Sequence, residues 1–389
     1  MRIGIFGGTF NPPHTGHLQA AARAVEALGS DMLYVVPTGM PPHKPLEPDT
    51  PSGTERYRMA ELLFADMPQV QMSDVELTRQ GPSYTMDTVL AIQKLHPAAE
   101  LFLLLGTDMF LSLTHWHRAD ELLQLVTPAV FARADGQGQT IADFAMQLQE
   151  RYGVTSIQID HDIVEISSTA LRDMLARRGG REWLADGVYT EIIAHGYYGA
   201  KPEFQWLREQ AYAMLPAQRI PHVQGTEEEA VRLAQRWRVD ECEAREAAIL
   251  HDITKACDLQ AQLQFCEKYD ILVSNAIKEN VKLLHAKTGA AIARVAFGVT
   301  QAVYDAICFH TTGRQGMTTL EKIIYMADYI EPNRNFPEVH ALRELAYVNL
   351  DKAILFGLEL TLYDLAENGY APHPDTTEAI RWLVKKVEG

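Results

Sequence analysis

Short apolar segments alternate with longer amphipathic segments through the first two hundred residues. The apolar segments have the length of buried strands and lie at 2–6, 32–36, 70–75, 101–105, 129–132 and 157–159. Helical patterns separate the first of them, at 14–28, 54–66 and 83–95. This alternation predicts βαβ units and a mainly parallel sheet, so the first part of the chain is expected to be an α/β domain. Ligands bind beyond the carboxyl ends of such strands, in the loops after Phe6, Val36 and Leu105.

The pattern changes near residue 200. Gly199 and Pro202 interrupt the chain, and long helical patterns then follow at 227–237, 243–251 and 320–329 without a convincing strand. We therefore predict two domains, an α/β domain over residues 1–199 and an all-α domain over residues 203–389.

Charge and cysteine content exclude several classes of protein. The net charge of −16 argues against broad binding to nucleic acid or to an anionic membrane. The most apolar stretch, 101–105, is far shorter than the roughly 20 residues of a spanning helix. Four cysteines without a CxxC pair indicate neither a disulfide framework nor a zinc ribbon. We expect a cytoplasmic protein with no nucleic-acid or membrane partner, and a homo-oligomer is compatible with the sequence.

The loop after the first apolar segment has the composition of a phosphate site. Gly7 and Gly8 follow the strand directly and allow a phosphate to approach the backbone closely. His14 and His17 are three residues apart, so at the start of a helix they share a face. Their imidazoles can donate hydrogen bonds to a phosphate whose charge grows in a transition state.

A second segment, ISSTALR at 166–172, places two hydroxyls at a helix start and Arg172 one turn inside. Ser168 is expected to cap the helix. The same hydroxyls, the exposed amides and the guanidinium also suit a triphosphate. The residues alone leave both interpretations open.

These two segments resemble the HxGH and ISSTxxR motifs of the nucleotidylyltransferase superfamily. Three further segments are similar to bacterial nicotinate mononucleotide adenylyltransferases (NadD-like): PHK at 42–44 with Arg56 and Met59, PSYTMDT at 82–88, and GTD at 106–108 with Trp116. The resemblance covers residues 1–199 and implies a Rossmann-like sheet. Another adenylyltransferase, such as the phosphopantetheine enzyme, is the alternative, and the SYTxDT-like element argues against it.

The resemblance implies that the phosphate of nicotinate mononucleotide attacks the α-phosphorus of ATP, with Mg²⁺ on the phosphates. It assigns the triphosphate to His14, His17, Arg172 and Thr169, with further ATP contacts from Gly7, Gly8, Thr9, Phe10, Ser168 and Asp108. It assigns the mononucleotide to Lys44, Arg56, Tyr84, Thr85 and Trp116. Core packing is the alternative for Trp116, and loop charge is the alternative for Lys44.

The second half combines histidines and aspartates in helical context. His222 precedes one helical pattern, His251 and Asp252 end a second, and Asp328 lies inside an apolar third. A carboxylate in such a stretch is costly unless it is paired or bound to a metal. Two imidazoles with two carboxylates suit Fe, Mn or Zn. The sequence therefore predicts a metal site formed by these four residues.

This order of ligands resembles the HD phosphohydrolase superfamily. The segments HDxxK, HTTG and ADYIEPxR are similar to YqeK-type hydrolases, which split diadenosine tetraphosphate into two ADP, and the resemblance runs from 205 to 385. It implies iron or another divalent transition metal. It also implies nucleotide contacts from Lys255, His285, His310, Thr311, Arg334 and, in an adenosine-side loop, His373. His285 or His310 as a ligand of a second metal stays open.

The two resemblances together predict a bifunctional enzyme. For the second domain, a regulatory nucleotide-binding module and a hydrolase of another phosphate ester, such as a guanosine alarmone or a nucleoside monophosphate, remain alternatives. The complete set of metal ligands argues against the binding module.

Overall fold

The structure, a computed structural model, describes residues 1–41, 46–132, 138–160, 166–272 and 283–388. It divides into two compact units, Met1–Lys201 and Pro202–Gly389. Within the described ranges no helix is both long enough and apolar enough to cross a membrane.

The first unit is built on one parallel sheet. Its described strands lie in the order β3-β2-β1-β4-β5-β6, and every neighbouring pair is parallel. The strands are β1 (Arg2–Gly8), β2 (Met32–Pro37), β3 (Val70–Met72), β4 (Glu100–Gly106), β5 (Val126–Ala132) and β6 (Ile157–Asp160). The predicted α/β class with a parallel sheet is confirmed.

Helices connect these strands. They are α1 (Thr15–Leu28), α2 (Gly53–Phe64), α3 (Thr85–Leu95), α4 (Thr107–Leu111), α5 (Ala119–Leu125), α6 (Gly138–Tyr152), α7 (Ser168–Ala176) and α8 (Asp186–His195). These strands are continuous apolar segments because both faces of the sheet are covered. In β4, for example, residues 101–105 are each at most 5% exposed.

The strand order places a binding position at the centre of the sheet. Ile5 of β1 pairs with Tyr34 of β2 on one side and with Leu103 of β4 on the other. The chain order reverses between β1 and β4, and such a switch point leaves a crevice at the carboxyl ends of the strands.

The second unit contains only helices in its described residues, as predicted. They are α9 (Phe204–Ala213), α10 (Ile220–Trp237), α11 (Glu241–Leu250), α12 (Leu259–Lys268), α13 (Leu284–Phe297), α14 (Gln301–Cys308), α15 (Thr319–Ile330), α16 (Val339–Val348), α17 (Leu350–Glu367) and α18 (Pro374–Glu388). Helix α10 packs against both α11 and α15.

Pro221 lies in the first turn of α10. A proline is favoured there because the first amides of a helix have no intrahelical acceptor. His222 is thereby held on the first turn of a helix.

Candidate active sites

The glycine loop after β1 leaves space above the backbone. A Cβ atom built on Gly7 meets nothing within 4 Å, whereas one on Gly8 would lie 3.2 Å from the ring of Phe10. Phe10 has a φ of 48° and is 1% exposed, with its ring 5.0 Å from that of His17. The Phe10 side chain therefore packs against His17, and a contact of Phe10 with ATP stays a prediction.

His14 and His17 form one unit at the start of α1. The backbone amide of His14 donates to Nδ1 of His17 over 3.1 Å, and the two ring centroids are 3.8 Å apart. Nδ1 of His14 is buried and has no hydrogen-bond partner among the described residues. Burial lowers the pKa of His14 to about 4 and, together with the neighbouring His14, places the pKa of His17 well below its usual range. Both rings are thus neutral near pH 7.

The start of α7 lies against the same loop. Ser168 donates its hydroxyl to the carbonyl of Pro12 over 3.3 Å, and Arg172 donates to the carbonyl of Asn11 over 2.8 Å. The helix is capped by Ser167, whose Oγ accepts from the amide of Ala170, so the expected cap at Ser168 is wrong by one residue. Serine at the preceding position satisfies the free amide and leaves Ser168 for the loop.

Arg172 is also held on its own helix. Its guanidinium donates to Oγ1 of Thr169 over 3.3 Å. The structure therefore brings together the two histidines, Ser168, Thr169 and Arg172 around one loop, although they come from segments more than one hundred residues apart.

Arg56 binds the loops after β1 and β2. Its side chain is fully buried and donates to the carbonyls of Pro51 (3.1 Å), Thr9 (2.5 Å) and Thr38 (2.8 Å). These carbonyls belong to the loops after β1 and β2 and to the start of α2. The guanidinium thus connects the loops that form the walls of the site, and a contact of Arg56 with the mononucleotide stays a prediction.

A cavity of about 370 Å³ opens at the switch point between β1 and β4. Its lining includes Gly7, Gly8 and Thr9 together with Tyr84, Thr85 and Trp116. Trp116 donates its indole N–H to Ser112 over 3.2 Å, which fixes the ring. His117 also lines the cavity and stacks on Tyr84 with ring centroids 4.3 Å apart. The sequence singled out neither His117 nor Ser112, since neither belongs to a motif.

Asp108, an expected ATP contact, is not among the residues that line this cavity. Asp108 is exposed in the first turn of α4, next to cavity-lining Gly106 and Met109. Lys44 lies outside the described residues.

Glu76 is a buried carboxylate that the sequence did not reveal. It is 7% exposed and lines the cavity, and its Oε1 accepts from the hydroxyl of Thr88 over 2.8 Å. Its Oε2 has no hydrogen-bond partner among the described residues. Burial raises the pKa of Glu76.

The second unit gathers imidazoles and carboxylates around one point. Nε2 of His222 lies 3.3 Å from Nε2 of His251 and 3.0 Å from Oδ1 of Asp328. The donor atoms of these three residues all lie within 4.8 Å of one another, and so do those of a second group formed by His251, Asp252 and His310. The four predicted ligands are therefore together, and His251 is common to both groups.

The Nδ1 nitrogens of His222, His251 and His310 each have a hydrogen-bond partner outside the cluster. His251 and His310 donate from Nδ1 to the carbonyls of Ala248 and Ile307, each over 2.7 Å, and Nδ1 of His222 lies 3.2 Å from Oε1 of Glu331. With the proton on Nδ1, each Nε2 directs a lone pair into the cluster. Metal-binding histidines are oriented in this way.

Asp252 connects the two groups of donors. Its Oδ2 accepts from Nε of Arg219 over 2.8 Å. Its Oδ1 is buried without a hydrogen bond from the described residues, although Nε2 of His285 lies 3.1 Å away and Nε2 of His310 lies 3.6 Å away. Burial would raise the pKa of Asp252, but the surrounding imidazoles, His251 first, hold it well below its usual range.

The donor atoms of this cluster suit a metal ion. Converging imidazole lone pairs and an orphaned carboxylate oxygen are unfavourable beside one another unless a cation lies between them. Mixed nitrogen and oxygen donors suit a divalent transition metal. The residues present therefore fit a metal ion at each of the two groups.

The remaining residues surround this centre. Nζ of Lys255 lies 3.0 Å from Nε2 of His285, and Arg334 donates to Oδ1 of Asp328 over 2.8 Å. The hydroxyl of Thr311 is buried without a hydrogen-bond partner in the described chain. Nε2 of His373 is likewise buried and unpartnered there, and its loop contacts the HTTG segment through a 2.9 Å hydrogen bond from Thr376 to the carbonyl of Thr312. Arg219 and Glu331 were not predicted, because each acts only through a neighbour distant in sequence.

Comparison with known proteins identifies the family of the first unit. Residues 5–174 match the cytidylyltransferase-like family model. A Geobacillus kaustophilus protein named "Probable nicotinate-nucleotide adenylyltransferase" is 39% identical over 202 residues, covering 51% of this chain and 87% of that protein. The chain belongs to the nicotinate-nucleotide adenylyltransferase family. A Gloeobacter violaceus protein of the same name is 38% identical over 203 residues, covering 51% of this chain and 96% of its own length.

These two relatives each cover about half of the chain, and the second half matches a different family model. Residues 219–333 match the HD domain, so the chain carries an HD domain in its second unit. A crystal structure from Clostridium acetobutylicum, named "predicted HD superfamily hydrolase involved in NAD metabolism", is 34% identical with a TM-score of 0.47. It is matched over 100% of its length and 48% of this chain. Both superfamily resemblances stated from the sequence are confirmed.

Proposed function

We propose that the first domain transfers the adenylyl group of ATP to nicotinate mononucleotide. A phosphate oxygen of the mononucleotide attacks the α-phosphorus of ATP, the bond from that phosphorus to the bridging oxygen breaks, and pyrophosphate leaves. The observation that carries the proposal is the convergence of His14, His17 and Arg172 on the glycine loop. Family membership and the names of the relatives support the choice of substrates.

The proposed roles follow from the hydrogen bonds. Because Nδ1 of His17 accepts from the amide of His14, its Nε2 carries the proton and can donate to a phosphate oxygen. Arg172, Ser168 and Thr169 add a guanidinium and hydroxyls at the start of α7. Mg²⁺ enters with the triphosphate and neutralises part of its charge. Such fixed donors stabilise developing charge without reorganising.

The cavity is the proposed position of the nicotinate ring. Tyr84, Thr85 and Trp116 line it, and the Ser112 hydroxyl fixes the Trp116 ring. Lys44 stays a proposed mononucleotide contact on the resemblance of its segment alone, and Asp108 stays a proposed ATP contact in the same way.

For the second domain we propose symmetrical hydrolysis of diadenosine tetraphosphate. Water adds to one β-phosphorus, the central phosphorus–oxygen bridge breaks, and the water protons end on the two ADP products. The observation that carries this proposal is the pair of donor groups that share His251.

The residues that would hold metal are His222, His251, Asp252 and Asp328, with His310 and His285 beside a second position. When bound, such a metal lowers the pKa of water toward neutrality. Lys255 and Arg334 place positive charge at the rim, where the polyphosphate is expected. Arg219 holds Asp252 by a hydrogen bond, and Glu331 holds His222.

One preparation of the full chain tests both activities. The purified protein is incubated with ATP and nicotinate mononucleotide, and separately with diadenosine tetraphosphate or a guanosine alarmone, after metal removal and readdition. His251→Ala should lose its bound transition metal and its hydrolysis while adenylyl transfer stays near the wild-type rate. His17→Asn should lose adenylyl transfer, while its bound transition metal and its hydrolysis stay near the wild-type level.

Three results would count against these assignments. A preference for nicotinamide mononucleotide over nicotinate mononucleotide would contradict the substrate proposed for the first domain. AMP and ATP as products, in place of two ADP, would contradict the second. Hydrolysis that persists in His251→Ala after exhaustive chelation would contradict the metal site.

A further inference from the structure

A cavity of about 490 Å³ opens beside the HD cluster, within the size range of small-molecule sites. Its lining includes His310, Asp328 and Arg334, which belong to or adjoin the cluster. It also includes Tyr329, Phe336 and Asp364, which have no part in the roles proposed above. A phosphate ester bound at the cluster would therefore extend its organic part toward these three residues.

Tyr329 and Phe336 form an aromatic wall of the cavity. The rings of Tyr329 and Phe336 are 5.5 Å apart and nearly perpendicular, and both side chains are half-buried. Tyr325 is buried and also lines the cavity, and its ring is nearly parallel to that of Tyr329, with an angle of 11° and centroids 6.1 Å apart. A rigid, partly exposed aromatic surface suits a flat ligand, since bases stack on such side chains.

The lining of the cavity also contains the carboxylate of Asp364. Asp364 is exposed on α17, and Nδ2 of Asn368 donates to its Oδ1 over 3.3 Å, so the side chain keeps acceptor capacity. Tyr329, Phe336 and Asp364 all line the same cavity, so the carboxylate lies near the aromatic rings. A carboxylate at the rim of an aromatic wall accepts hydrogen bonds from an amino group on the edge of a base.

We propose that this cavity is a purine subsite of the HD domain, in which the base stacks on Tyr329 and Phe336 and its amino group donates to Asp364. The subsite rests on the proposed nucleotide hydrolase function, and it deepens that function. The nucleotide phosphates then point toward Arg334 and the cluster. A symmetrical dinucleotide needs a second base position, which leaves the loop around His373 for the other adenosine.

Photolabelling of the full chain tests the subsite apart from the first domain. 8-Azidoadenosine diphosphate is the probe, and labelled peptides are located by mass spectrometry. We expect label on the peptides that contain Tyr329 or Phe336. ADP should compete for this label about 10-fold better than purine riboside diphosphate, which lacks the amino group.

Four variants sharpen the test. Asp364→Ala should abolish the difference between the two competitors, whereas Glu359→Ala, an exposed acid on the same helix, should retain it. Phe336→Leu should weaken labelling about 10-fold, whereas Tyr363→Leu, at an exposed position next to Asp364, should not. Labelling confined to the His373 loop or to the first domain would overturn the subsite, and so would unchanged competition in Asp364→Ala.

The outcomes also separate this inference from the function on which it rests. Label on the aromatic wall without hydrolysis of diadenosine tetraphosphate would contradict the hydrolase and leave the subsite standing. Symmetrical hydrolysis that none of the Asp364 and Phe336 variants alters, with no label on the wall, would contradict the subsite alone.

Discussion

The backbone amide of His14 donates to Nδ1 of His17 over 3.1 Å. This single hydrogen bond links the start of α1 to the chemistry of the glycine loop. It requires Nδ1 of His17 to be unprotonated, so a neutral His17 carries its proton on Nε2. A protonated His17 would place a second N–H against the amide of His14, which explains why this geometry and burial both favour the neutral ring.

The first prediction concerns the titration of these two rings. Since burial lowers the pKa of His14 to about 4 and that of His17 well below its usual range, both stay neutral as the pH falls through about 6.5, where a free histidine would be protonated. Proton NMR of the free chain should therefore show two imidazole resonances that do not move between about pH 8 and pH 5.5. His14→Gln and His17→Gln identify them, and titration of either near 6.5 would contradict the predicted environment.

The histidine pair shows what the sequence could and could not reveal. The spacing of His14 and His17 predicts a shared helix face, and the alternation of apolar segments predicts the sheet. The sequence did not reveal that Arg56, at a motif position, donates to the carbonyls of Thr9 and Thr38. A hydrogen bond to a backbone carbonyl has no sequence signature, because every residue type offers the same acceptor.

The HD domain shows the same division. The identities and order of its histidines and aspartates predict a metal centre, because few other arrangements tolerate carboxylates in apolar helices. Glu331 and Arg219 were not predicted, because neither is a ligand. Glu331 orients His222, and Arg219 orients Asp252. Tyr329 and Phe336 are ordinary in sequence and gain significance only from the cavity they line.

The second prediction concerns Arg56. Replacement by lysine removes the planar set of donors and leaves buried carbonyls of Pro51, Thr9 and Thr38 without partners. We expect Arg56→Lys to lower the free energy of unfolding of the first domain by about 3 kcal/mol and to raise the KM for the mononucleotide. Calorimetric unfolding and initial rates measure the two effects.

Arg58 provides a matched control on the same helix. Its guanidinium forms a 3.0 Å ion pair with Glu191, but its side chain is 64% exposed. Arg58→Lys should change the unfolding free energy by less than about 1 kcal/mol. Equal losses in Arg58→Lys and Arg56→Lys would contradict the special role of the buried guanidinium.

The third prediction concerns Glu76 and pH. Burial raises the pKa of Glu76 in the folded state, so its stabilising contribution is fully present below its unfolded pKa and is lost as the pH rises through the folded pKa. Glu76→Gln keeps an acceptor for Thr88 and removes the charge. Its unfolding free energy should therefore exceed that of the wild type more at about pH 8 than at about pH 4. Glu61→Gln, at an exposed position on α2, is the control, and a pH-independent difference would count against the buried carboxylate.

The fourth prediction concerns Glu331, which holds Nδ1 of His222 at 3.2 Å and is 2% exposed. Glu331→Gln can turn its amide N–H toward the ring, which places the lone pair on Nδ1 and the proton on Nε2, where a metal should bind. Loss of such an orienting partner weakens metal binding by about 10- to 100-fold. Metal content after dialysis and titration with Mn²⁺ should show this loss, while adenylyl transfer stays unchanged. Glu228→Gln, an exposed acid on α10, should keep wild-type metal affinity. If Glu331→Gln retains its metal as tightly as the wild type does, Glu331 does not orient a ligand, and its contact with His222 serves packing alone.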